Sequence, residues 1–72
     1  MITLYTKPNC FQCEATKKEL VKKGIEFKLV DLTKDEIAFD KVSALGYRSA
    51  PVVYIEENNH WAGFQVDKLD QL

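Results

Sequence analysis

Cys10 and Cys13 stand two residues apart in Lys7-Pro8-Asn9-Cys10-Phe11-Gln12-Cys13, and they are the only thiols in the chain. A pair at this spacing suits thiol–disulfide exchange or metal ligation. A purely structural disulfide explains it poorly, because so short a loop removes little entropy from the unfolded chain. Structural zinc asks for four ligands, and beyond this pair only His60 and carboxylates remain. An iron–sulfur cluster shared between chains would need further thiols. Redox chemistry is the favoured reading, with a non-catalytic metal-binding module as the alternative from another class.

Exchange chemistry needs a thiolate, and an ordinary cysteine titrates at about 8.5. A helix beginning at the first cysteine would set its sulfur near unpaired backbone amides and the positive end of the helix dipole, both favouring the anion. The flanking sequence supplies that setting. Ile2 to Thr6 alternates and is rich in β-branched and aromatic residues, which predicts a strand. Lys7-Pro8-Asn9 stops it, because Pro8 offers no amide to a ladder. From about Phe11 to Lys23 there is no Gly or Pro. Cys13, Thr16, Leu20 and Val21 recur at helical spacing toward a core, with charged residues between them. Cys10, in the loop, is then the exposed nucleophile, and Cys13, one turn into the helix, the shielded resolving thiol. Lys7 is either a solvated lysine or a cation that supports the thiolate.

Downstream, Ile25 to Leu32 reads as a second strand with Ile25, Phe27, Leu29 and Asp31 on one side. Thr33-Lys34-Asp35-Glu36 has the form of a capping box, opening a helix with Ala38, Val42 and Leu45 inward and Ile37 and Phe39 beside them. Val52 to Ile55 and His60-Trp61-Ala62 form a hairpin about the turn Glu56-Glu57-Asn58-Asn59. Gln65 to Leu72 forms a last short helix with Val66, Leu69 and Leu72 inward. The order is β-α-β-α-β-β-α. The first two strands are parallel with a right-handed crossover and the last two antiparallel, which is class α/β.

Ten basic against eleven acidic residues among 72 leave a net charge of −1, which gives no footprint for nucleic acid and no polybasic membrane patch. At 46 % hydrophobic and 29 % charged the composition is that of a folded globular chain. No apolar run approaches the roughly 20 residues of a membrane span. Met1 leads straight into Ile2-Thr3-Leu4-Tyr5 without the n-region and h-region of a signal peptide, so a cytoplasmic protein is expected. A cytosolic dithiol is normally kept reduced, which again favours chemistry over stapling.

With the dithiol between a first strand and a first helix, the chain resembles the thioredoxin fold in its shortest form, that of glutaredoxins, and more narrowly the NrdH-redoxins. The resemblance covers essentially all of residues 1–72, read as one glutaredoxin-like domain. It rests on Tyr5-Thr6-Lys7-Pro8, on Cys10-Phe11-Gln12-Cys13, on Ser49-Ala50-Pro51-Val52-Val53, and on Trp61-Ala62-Gly63-Phe64. It implies a four-stranded mixed sheet flanked by three helices and a cis Ala50–Pro51 bond beside the redox pair. It also implies that the backbone before Pro51 offers hydrogen bonds to a bound substrate chain. No cofactor is expected beyond the redox-active disulfide Cys10–Cys13, and no metal.

The family resemblance further implies a monomeric electron donor to class Ib ribonucleotide reductase, re-reduced by thioredoxin reductase. A glutathione-dependent glutaredoxin is the nearer alternative. Against it, the Gly-Gly and acidic pair that hold glutathione are replaced here by Trp61-Ala62-Gly63-Phe64-Gln65-Val66-Asp67. The partner-binding residues on this reading are Lys7, Phe11, Gln12, Ala50, Pro51, Trp61 and Phe64. For Pro51 the competing role is a simple strand start, and for Trp61 and Phe64 it is ordinary core. His60 is read as a strand residue without catalytic duty. Where NrdH-redoxins usually have Trp-Ser-Gly-Phe-Arg-Pro, Ala62, Gln65 and Val66 differ. The Ser–Arg hydrogen-bond network expected of that loop therefore cannot form in its usual way.

Overall fold

The computed structural model describes residues 1–72. Strand β1 (Ile2–Thr6) leads to helix α1 (Phe11–Lys22), strand β2 (Phe27–Asp31) and helix α2 (Glu36–Ala44). Strands β3 (Val52–Glu56) and β4 (Asn59–Ala62) and the short helix α3 (Val66–Leu69) follow. The sheet order is β2-β1-β3-β4, with β1 parallel to β2 and antiparallel to β3, and β3 antiparallel to β4. The expected element order and the mixed four-stranded sheet with three helices are both present.

Strand register divides the core into two layers. Leu4 pairs with Val53 and Val53 with Trp61, so these three side chains share one face. There they meet Leu20 of α1 and Leu69 of α3 in one buried cluster. The adjacent row, Tyr5, Val52 and Ala62, lies on the opposite face, where Ala38 and Val42 of α2 cover it. Burying a side chain such as Leu4 or Leu20 completely contributes about 1.5–3 kcal/mol, so each helix is held to the sheet by a few such contacts. Thr16 is also fully buried, and its hydroxyl donates to the Gln12 carbonyl across 2.8 Å, which removes the penalty of an unpaired polar group.

Both long helices end in the same way. Ile25 N–H bonds to Leu20 C=O and Gly24 N–H to Val21 C=O, while Tyr47 and Gly46 bond likewise to Val42 and Ser43. These are paired Schellman bonds, and each brings an apolar side chain back onto its own helix.

Several sequence expectations are corrected. The cap of α2 is Asp35, whose carboxylate accepts from Ala38 N–H across 3.0 Å. Thr33 instead donates both its hydroxyl and its amide to Asp31, at 2.6 and 2.8 Å, in the turn leaving β2. Ile37 and Phe39 lie about 100° to either side of the inward Ala38, which leaves Ile37 84 % exposed and Phe39 half exposed. Leu29 has the anticipated parity but is exposed, because β2 is a sheet edge. Val21, Val66 and Leu72 are exposed as well, and only Leu69 of the last segment is buried.

Candidate redox site

The site is assembled at the end of β1. Pro8 and Asn9 turn the chain, and Asn9 adopts a left-handed conformation, φ +56°. Asparagine tolerates that region better than most residues. The turn delivers Cys10 in an extended conformation at the N-cap of α1, and the first helical bond runs from Glu14 N–H to Cys10 C=O at 3.1 Å. In the usual cap a side-chain oxygen accepts from an amide of the first turn. Here the Cys10 sulfur does so, accepting from Cys13 N–H across 3.1 Å. A donor aimed at sulfur stabilises negative charge on it when the pair is reduced.

Cys10 and Cys13 form a disulfide with their Cα atoms 5.2 Å apart. The two sulfurs are unequal. Cys10 is partly exposed at the helix tip, whereas Cys13 lies under the helix and is 1 % exposed. An incoming disulfide therefore meets Cys10 first.

A second segment faces the pair. The Ala50–Pro51 peptide is cis, and the Cys10 sulfur lies 4.0 Å from the Ala50 carbonyl oxygen. Pro51 is buried, and its carbonyl accepts from Gly63 N–H at 2.8 Å. That bond draws in a third segment, the Ala62–Gln65 loop. Phe64 N–H donates to Gln12 Oε1 across a long 3.4 Å, and Gln65 Nε2 donates to Ala62 C=O at 2.8 Å. Gln65 thus ties down the loop in which the Ser–Arg network is missing.

Beside Cys10 an open cavity of about 580 Å³ is lined by Lys7, Pro8, Asn9, Cys10, Phe11 and Glu14. Phe11 is 94 % exposed on its rim. Lys7 lines the same cavity with its side chain in solvent. Of the residues singled out from the sequence, Cys10, Cys13 and Ala50 converge on the sulfur. Lys7 and Phe11 flank it, and Gln12, Pro51 and Phe64 join the surrounding segments. Trp61 stands apart. It is 5 % exposed and packs with Leu4, Leu20, Val53 and Leu69, so its ring is core and not an exposed docking surface. The β4 register determines this, since Trp61 lies opposite Val53.

His60 is engaged elsewhere. Its Nδ1 is 2.7 Å from the Tyr47 hydroxyl, and its ring stacks on Tyr54 at 5.9 Å. Asn9, Gly63 and Gln65 were not identified from the sequence as parts of the site. An Asn next to the cysteine and a Gly next to Phe64 were the available signals, since both residue types accommodate positive φ.

The geometry can carry out thiol–disulfide exchange, with an exposed sulfur at a helix N-terminus and a shielded one a turn behind. Comparison with known proteins agrees. A family model described as Glutaredoxin matches residues 2–61. The glutaredoxin-like protein NrdH of Salmonella typhimurium is 39 % identical over 71 residues, covering 99 % of this chain and 86 % of that protein. The Gene 56 protein of Mycobacterium phage L5 is 40 % identical over 72 residues, 99 % of this chain and 70 % of its own. Among solved structures, the glutaredoxin-like NrdH-redoxin from Escherichia coli, described with a thioredoxin-like activity profile, superposes with a TM-score of 0.90. It is 35 % identical, and the match covers 99 % of this chain and 92 % of that one.

Proposed function

This chain belongs to the glutaredoxin family, alongside its NrdH-named members, and on that footing we propose that it is the dithiol electron donor to a class Ib ribonucleotide reductase, itself re-reduced by thioredoxin reductase. That the chain is a thiol–disulfide oxidoreductase follows from the family and the paired cysteines. The donor role is the finer reading. The observation supporting it is the similarity over 99 % of the chain to NrdH-named relatives, while the asymmetry of the pair, Cys10 at the N-cap and Cys13 buried, supports a dithiol exchange cycle.

In the reduced state the Cys10 thiolate attacks one sulfur of a partner disulfide. A Cys10–partner bond forms, the partner's other sulfur leaves as a thiolate, and it takes up a proton. Cys13, having lost its proton, then attacks the Cys10 sulfur. The Cys10–Cys13 bond forms, and the second partner sulfur leaves and is protonated. Two electrons pass to the partner, and the pair is left oxidised, the state seen in this structure. In this cycle the Ala50 carbonyl, 4.0 Å from the Cys10 sulfur, accepts a backbone amide of the docked partner chain, a β-type contact. Phe11 and Phe64 offer exposed apolar area to that chain, and Lys7 and Glu14 border the cavity with opposite charges. A reducing cytoplasm is the compartment in which such a cycle turns over.

The test couples NADPH oxidation to reduction of a protein disulfide, once with thioredoxin reductase and once with glutathione and its reductase. Turnover with thioredoxin reductase, and then with an oxidised class Ib ribonucleotide reductase as acceptor, is the expected result. Turnover only with glutathione assigns the chain to the glutathione-dependent glutaredoxins. No turnover with either, together with stoichiometric metal binding, assigns it to the metal-binding alternative.

A further inference from the structure

We propose that Gln12 is a positioning residue: its side-chain carbonyl holds the Ala62–Gln65 loop against the dithiol helix, making Phe64 a wall of the face that selects polypeptide disulfides over small ones. The inference rests on the reading of the site as a reductant of protein disulfides and adds how the site discriminates.

Gln12 sits between the two cysteines with its side chain outward. Its Oε1 accepts the Phe64 N–H at 3.4 Å. The same oxygen lies 3.4 Å from where a β-carbon on Gly63 would stand, so the loop backbone passes directly over the amide. On its other sides the loop is fastened by Gly63 N–H to the Pro51 carbonyl and by Gln65 to the Ala62 carbonyl. Those two bonds fix it to the β3 entry and to itself. The tie to α1, which carries the sulfurs, is supplied by Gln12. Phe64 leaves that junction 37 % exposed, while Phe11 stands almost fully exposed on the adjoining helix residue.

Two such rings do different work for different substrates. A docked polypeptide covers apolar area well beyond the reacting sulfurs, and aromatic anchors dominate that kind of contact. A small disulfide touches little more than Cys10. Loosening the loop therefore penalises the polypeptide more. The residue type also fits the position. An amide oxygen accepts the Phe64 N–H without placing a formal negative charge beside a sulfur that must itself become negative.

The experiment compares kcat/KM of the reduced full chain for insulin and for 2-hydroxyethyl disulfide and reads their ratio. Gln12→Ala is expected to lower the ratio about five- to tenfold, and Phe64→Ala by a similar factor. Gln12→Glu keeps the acceptor. Its added charge slows both reactions together, so the ratio stays within about twofold of the parent. The double variant Gln12→Ala/Phe64→Ala should fall no further than Phe64→Ala alone, because Gln12 acts through Phe64. Hydrogen exchange at the Phe64 amide should accelerate in Gln12→Ala and not in Gln12→Glu. An unchanged ratio in Gln12→Ala, or single losses that multiply in the double variant, overturns the inference while leaving the proposed function standing. A parent chain that reduces no protein disulfide overturns both.

Discussion

The Cys13 amide donates to the Cys10 sulfur across 3.1 Å, so the buried cysteine caps the more exposed one through its own backbone. The contact depends on the Cys10 side chain and on the helix, not on the Cys13 side chain. Cys13→Ser therefore keeps the capping amide and an intact nucleophile. It should accumulate a mixed disulfide with a protein substrate, visible as a mass adduct at Cys10, while Cys10→Ser should form none. In the reduced parent, iodoacetamide should label Cys10 first. Cys13, at 1 % exposure, should be spared under the same conditions. Equal labelling of the two would contradict the assigned roles.

Gly63 carries φ +82° and approaches Gln12 closely. An L-residue in the left-handed region costs about 1–2 kcal/mol, while a new methyl would only just touch Oε1 of Gln12. Gly63→Ala should lower unfolding free energy by about that amount in urea titration. A neutral result would mean that the backbone at position 63 leaves the left-handed region at no cost.

Trp61 Nε1 is buried without a hydrogen-bond partner. An unpaired buried donor costs about 1–3 kcal/mol. Trp61→Phe removes that donor and keeps an aromatic ring in the cluster, so the loss of volume is offset. The expected destabilisation is under about 1.5 kcal/mol, against about 2–5 kcal/mol for Leu20→Ala in the same cluster. Denaturant unfolding of both variants distinguishes these outcomes. Equal losses would show that packing volume alone sets the value at position 61.

The Asp31 carboxyl is held below its usual value of 3.8 by the Thr33 hydroxyl, then by the Thr33 amide, with a smaller aid from Lys34 and a small opposing effect of desolvation. A folded-state value below the unfolded one contributes stability that is complete above the unfolded value and is lost as pH falls through the folded one. Thr33→Val should therefore melt earlier than the parent at about pH 6, and the two melting curves should converge in acid. A constant offset down to the lowest pH would remove Asp31 as the cause.

Much of the fold was readable without coordinates because it rests on local rules. The period-two run Ile2–Thr6, the Pro8 stop and the gap-free helical stretch after it are each decided within a few residues. They locate the dithiol at a strand-to-helix junction. The α2 cap shows how such rules can compete. Thr33 and Asp35 both suit an N-cap, and Thr33 was already committed to Asp31. Ala38 and Val42 face the sheet as expected, and Ile37 and Phe39, about 100° to either side of Ala38, are left exposed.

By itself the sequence determined the reactive pair, its order of exposure and the class of fold, since adjacent residues and their periodicity carry that information. Only the tertiary structure decided which distant segments meet the sulfurs. Trp61 proved to be core because β4 pairs it with Val53, and Gln12 proved to hold Phe64 because Gly63 is drawn to Pro51. Those outcomes depend on strand register and on hydrogen bonds between residues up to 52 positions apart, which no local pattern encodes.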